Sequence, residues 1–144
     1  MRKTPIMTGE HDLKRLLAGM SPVLDEASYV FVTLPGREVP EGLAPRMTMQ
    51  EGEGTTIIVT REEAEAAGLD HVFECRMITL DVHSALDAVG FLARVTTRLA
   101  DLGMGVNPVA GYYHDHLFVP TDRASDAMTA LGEMAREAAG SARA

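Results

Sequence analysis

Basic residues are scarce in this sequence. Thirteen Lys and Arg stand against 21 Asp and Glu, a formal net charge of −8 over 144 residues. Phosphate-backbone binding depends on Lys and Arg that neutralise phosphates, and no basic cluster offsets the deficit, so no nucleic-acid partner is expected. Cysteine is scarcer still. Cys75 stands alone, which excludes an internal disulfide and leans towards a reducing compartment. No apolar run approaches the ~18 residues of a membrane-crossing helix, so no membrane partner is expected. Met1-Arg2-Lys3-Thr4-Pro5 starts basic but lacks the apolar segment of a signal peptide; a cytoplasmic location is the expectation. Also missing are a glycine-rich phosphate loop, a nucleophile elbow and a catalytic triad. These absences point away from catalysis and towards binding.

With 46% hydrophobic residues, the chain can bury a core as one compact domain or two small ones. Thr8 could cap a short helix carrying Leu13, Leu16 and Leu17, which Gly19 and Ser21-Pro22 would end. Ser28 to Leu34 is β-branched and aromatic, as a buried strand should be. A loop of prolines and glycines follows to Pro45. Arg46–Gln50 and Thr55–Val59 read as hairpin strands around Gly52-Glu53-Gly54. Thr60-Arg61-Glu62-Glu63 is a capping box, opening a short helix that Gly68 closes. Val72 to Val82 then returns as a long strand.

The second half reads strand, helix, strand, strand, helix, most of a split β-α-β motif of the ferredoxin-like kind. Its long helix is expected from Ser84, a good N-cap, to Leu102. At about 100° per residue, Asp87, Arg94, Arg98 and Asp101 share one narrow arc, and the rest of the circumference is apolar or small. That excess apolar face should meet the other half or a second chain. Strands are expected over Val106–Tyr113 and Leu117–Val119. A last helix follows from Asp122 to about Ala138, then a tail over residues 140–144. A final strand is missing. The first half looks like a degenerate copy, with a loop in place of its first helix. The expected class is α+β, with antiparallel sheets and helices on one face. The expected division is a first module over 1–74 and a second over 75–139.

Three places could carry chemistry. The turn Asp81-Val82-His83-Ser84 lies before a helix start whose free amides suit a carboxylate or other anion; the plain alternative is that Ser84 only caps. His114-x-His116 has a metal-ligand spacing on a strand, but no third ligand is evident, and Asp115 between them suits a turn. Cys75 sits mid-strand without a paired histidine and reads as structural. No metal and no cofactor are expected.

At Met77-Ile78-Thr79-Leu80, at His83 to Phe91 and at Gly111 to Pro120 the sequence resembles small bacterial proteins with paired ACT-type domains. The likeness spans about Leu13 to Ala138. ACT domains are βαββαβ modules that pair side by side and bind amino acids between modules. The second half is also similar to the ligand-sensing ACT modules of the animal cytosolic arginine sensor. That resemblance implies that Asp115 faces a ligand's cationic group and that His83, Ser84, Ala85, Leu86, Asp87, Val89 and Gly90 hold its carboxylate end. Many ACT domains place a glycine in the first strand-to-helix turn; here it is Gly90, a turn and a half later. Asn107 is a further acceptor, expected to meet Ser84 if the first two strands of this half lie adjacent. In that arrangement Asp115 lies at the far end and joins the site only through a neighbouring module. The resulting expectation is a non-catalytic regulatory module that binds a small molecule, most simply an amino acid, and forms a homodimer. A purely structural dimerisation module and a metal-dependent enzyme using His83, His114 and His116 are the alternatives.

Overall fold

The structure is a computed structural model, and it describes residues 9–141. Thr8, and the tail beyond residue 141, lie outside the described residues. The elements are α1 (Leu13–Gly19), β1 (Ser21–Leu34), β2 (Met47–Glu51), β3 (Gly54–Thr60) and α2 (Arg61–Ala66), followed by β4 (Val72–Asp81), α3 (Phe91–Ala100), β5 (Asn107–Ala110), β6 (Asp115–Pro120) and α4 (Ala124–Ser141). Asp12 caps α1, its side chain accepting from the Arg15 N–H at 2.9 Å. The capping box of α2 forms as expected, with Thr60 and Glu63 each satisfying the other's backbone amide. Gly68 follows α2 with φ +65°, a left-handed conformation that closes a helix.

All six strands join one antiparallel sheet in the order β2-β3-β1-β4-β6-β5. A ferredoxin-like module places its strands 4-1-3-2, and this sheet contains that order twice. Read from β1, the strands β4-β1-β3-β2 make one module, with α2 as its helix. Read from β4, the strands β1-β4-β6-β5 make a second, with α3 and α4. The two modules overlap in β1 and β4. The final strand that the second half lacks in sequence is therefore supplied in space by β1. This sharing explains why β1 is 14 residues long and starts at Ser21 rather than Ser28. Its first residues pair with β4, Ser21 opposite Asp81 and Leu24 opposite Ile78, while Tyr29 to Leu34 pair with β3. Pro22 lies at the second residue of β1, opposite Leu80 and before the stretch that β3 covers, and a proline is tolerated near a strand's start. The register slips between Leu24 and Ser28, where the Arg76 guanidinium donates to the Asp25 carbonyl at 2.6 and 3.1 Å.

Helices cover one face. Leu16 and Leu17 of α1, with Met20 just after it, pack with Ile78, Leu80, Val95, Leu99, Leu117 and Leu131, so the N-terminal helix sits over the second module. Over the first module, Val39 and Leu43 of the Pro/Gly loop pack with Val30, Val32, Ile57 and Ala64, filling the place of the absent crossover helix. On the open face, Tyr29, Ile58, Cys75, Met77 and Phe118 bury one another, with Tyr29 and Phe118 edge to face at 5.9 Å.

The long helix of the second half is shorter than its sequence pattern. It begins at Phe91, not Ser84, and ends at Ala100. Gly90 precedes it with φ +92°, a left-handed value that an α-helix interior cannot include. Leu86 and Val89 therefore lie in the loop and are exposed, and α3 itself buries only Phe91, Val95 and Leu99 as a one-sided face. Arg98 pairs with Glu133 at 3.0 Å and Glu137 at 3.3 Å on α4. The apolar excess that argued for a second chain against this helix is thereby removed. At the other end α4 runs through Gly140 to Ser141, further than Ala138; a lone glycine costs a helix only about 1 kcal/mol.

Candidate functional site

The end of β4 and the start of β6 lie side by side, with Leu80 opposite Asp115. Alternation along β6 turns Asp115, Leu117 and Val119 to the helix face and His116 and Phe118 to the open face. From Asp81 the chain folds back, and the Ser84 hydroxyl donates to Asp115 Oδ2 at 3.1 Å. Both residues are buried, Asp115 at 6% exposure and Ser84 at 8%. Burial pushes the Asp115 carboxyl above the ordinary carboxylate range; the Ser84 hydroxyl, His116 and His114 draw it part of the way back. Beside this carboxylate is a cavity of about 140 Å³, lined by Ser84, Ala85, Leu86, Ala88, Gly90, Phe91, Leu92, Ala93, Ala110 and Asp115. At ~30 Å³ per water it holds roughly four or five waters' worth of ligand.

The start of α3 forms the opposite wall. No side chain caps it. Arg94 N–H bonds the Gly90 carbonyl at 3.0 Å, so the amides of Phe91, Leu92 and Ala93 are the ones a helix start leaves without an intrahelical partner. Those amides, with the positive end of the helix dipole, attract a carboxylate. A buried anion and an anion seat thus share one small cavity.

Ser84, Ala85, Leu86, Gly90 and Asp115 all line this cavity, with Gly90 starting the helix instead of lying within it. Asp115 reaches the cavity within one chain, with no neighbouring module needed. Asn107 does not reach it, because it pairs with Phe118 towards the other end of β6. The expectation that β4 and β5 are adjacent fails because a split β-α-β unit inserts an antiparallel strand, here β6, between them. Asp87 and Val89 are exposed and outside the lining; Asp87 Oδ1 lies 2.6 Å from His11 Nε2. The His83 ring is outside the lining too, 5.2 Å from the Tyr113 ring. Sequence reasoning missed Ala88, Phe91, Leu92, Ala93 and Ala110. Gly90 was the usable signal, since a glycine inside an apparent helix suggests a start or stop.

The other candidates separate. His116 Nδ1 lies 2.9 Å from Thr79 Oγ1 on the open face, whereas His114 Nδ1 is 3.4 Å from the Val82 carbonyl. Among the described residues, no group of three or more His, Cys, Asp and Glu side chains could hold a metal ion. Cys75 is buried, donates to the Tyr29 carbonyl at 3.4 Å, and its thiol is pushed up to about 12, chiefly by burial. A wider groove of about 620 Å³ lies between α1, α3 and α4. Its Lys14, Arg94, Thr97, Asp101 and Glu137 are exposed, and the half-buried Arg98 is already paired with Glu133 and Glu137, so it offers no buried polar group to select a ligand. Among the described residues, no helix is long and apolar enough to cross a membrane.

A doubled ferredoxin-like sheet with helices on one face defines a paired α+β module. The chain belongs to the ACT domain family: one ACT domain model matches residues 8–76 and another matches residues 72–133. ACT domains are small-molecule-binding regulatory modules. The chain is 44% identical to a Vibrio cholerae protein of unknown function described as a possible transport protein, covering 85% of this chain and 95% of that one, with a TM-score of 0.78. The fold also matches an Agrobacterium tumefaciens protein at 15% identity, with 81% and 89% of the two chains covered and a TM-score of 0.65. The ligand-free regulatory subunit of aspartate kinase from Thermus thermophilus matches at 13% identity, 78% and 95% coverage and a TM-score of 0.59. No curated protein matches the sequence.

Proposed function

We propose that this protein is a non-catalytic regulatory module that binds an amino acid in the cavity between Ser84, the start of α3 and Asp115. The buried Asp115 carboxylate beside the uncapped helix start carries the reading. The ligand's carboxylate takes the Phe91–Ala93 amides, and its cationic group takes Asp115. The cavity accommodates the α-carbon groups, and a longer basic side chain extends through its mouth. Calorimetric titration with the twenty amino acids tests this. A charge-assisted hydrogen bond contributes about 1.5–3 kcal/mol, so Asp115→Asn should weaken binding of a basic amino acid about tenfold or more. Binding of none of the twenty, or equal affinity in Asp115→Asn, would overturn the site.

The same reading includes a homodimer. The loops on either side of the cavity expose Leu86 at 59%, Val89 at 85%, Tyr112 at 57% and Tyr113 at 62%, and such a patch is best covered by another molecule. Sedimentation at micromolar concentration should show twice the monomer mass, and a clean monomer would remove this part.

A further inference from the structure

Residues 82–90, of which Ser84, Ala85, Leu86, Ala88 and Gly90 line the cavity, belong to no helix or long strand. Their position is set from outside by the chain's N-terminal residues. The Glu10 N–H donates to the His83 carbonyl at 2.7 Å, and the Glu10 carbonyl accepts from the Ala85 N–H at 3.0 Å. Together these bonds make a parallel bridge between Glu10 and Ser84. His11 Nε2 meets Asp87 Oδ1 at 2.6 Å. Gly9 lies flat on the loop: a Cβ there would stand 2.6 Å from the Ala85 nitrogen and 2.7 Å from the Ser84 carbonyl carbon, and its φ is +101°. Glycine alone allows that approach without displacement. The strap runs straight into α1, which is rooted in the core by Leu16 at 0% and Leu17 at 6% exposure.

We infer that Gly9, Glu10 and His11 are positioning residues of the ligand site. They hold Ser84 and Ala85 down, so that the Ser84 hydroxyl meets Asp115 and the cavity keeps its wall before any ligand arrives. Preorganisation of this kind raises affinity because the loop is not ordered at the expense of binding. By reciprocity, a ligand that fills the cavity tightens the strap. The affinity consequence rests on the amino-acid reading above; the geometric consequence does not.

Hydrogen exchange on the full chain separates the two, comparing wild type with Gly9→Ala and His11→Ala. The Ala85 amide, bonded to Glu10, should exchange at least tenfold faster in Gly9→Ala, and to a smaller degree in His11→Ala. Amides of β4 and β6 should be unchanged, which reports that the fold is intact. Unchanged exchange over residues 82–90 in both variants would overturn the strap, whether or not any ligand binds. With L-arginine as the calorimetric probe, Gly9→Ala should bind about tenfold more weakly. Faster exchange with undiminished L-arginine affinity would overturn the positioning role. If wild type binds neither L-arginine nor any other amino acid, the functional reading fails and the exchange result still decides the strap.

Discussion

At the scale of the residue, Asp115 is held against its own stability. Its carboxyl is buried beneath the Ser84 loop, and burial lifts its protonation range above the ordinary one. The native state therefore binds a proton more tightly than the unfolded chain does. As pH rises from the unfolded carboxylate value of about 3.9 through the raised native value, the native state loses stability relative to the unfolded one. Asp115→Asn keeps the shape and an acceptor for the Ser84 hydroxyl but removes the buried charge. Urea unfolding should show the variant more stable than wild type at pH 7, with the difference shrinking towards pH 3. At the same time it should bind the ligand less well. A variant that unfolds more easily at pH 7 would show that the ionised carboxylate is better compensated than its surroundings suggest. A group that weakens the fold while it is ionised is a mark of a functional site.

At the scale of the element, local signals were legible and pairings were not. The capping box at Thr60, the closing Gly68, the hairpin around Gly52 to Gly54 and the missing first crossover helix could all be read within a few residues. The 3.6-residue pattern places the start of α3 too early because it continues apolar through Leu86 and Val89, while the backbone at Gly90 breaks it. Periodicity reports which residues are apolar, not where the turn begins. Ser21-Pro22 is a local stop signal, so the sequence starts β1 only at Ser28, whereas the long-range pairing with β4 carries it back to Ser21. Asn107 and Asp115 exchanged roles for the same reason: which strand lies between which is decided by long-range pairing. The Asp115–Ser84 contact links residues 31 apart, and the Glu10–Ser84 bridge is longer still. Neither leaves a mark on a local pattern. The resemblance points to five of the ten residues that line the cavity, and the sheet sets how they are arranged.

At the scale of the whole molecule, the overlap of two modules in β1 and β4 has an energetic consequence. Each module shares one central strand and one edge strand with the other. The second module needs β1 to cover the edge of β4, and needs α1 and its C-cap to supply Leu16, Leu17 and Met20 to the core that also holds Ile78, Leu80 and Leu117. The first needs β4 on the other side of β1. Unfolding one module therefore exposes the strand edge and apolar face of the other. The full chain should unfold in a single transition, with far-ultraviolet circular dichroism and tyrosine fluorescence giving coincident curves in urea. A fragment of residues 72–141 retains most of the second module's sequence but loses β1 and α1. It should show little fixed structure, because β4 would present an unpaired edge over a core missing three buried side chains. Two separated transitions in the full chain, or a dispersed amide spectrum from the fragment, would mean that the modules are energetically independent. In that case β1 would be a shared boundary and not a shared support.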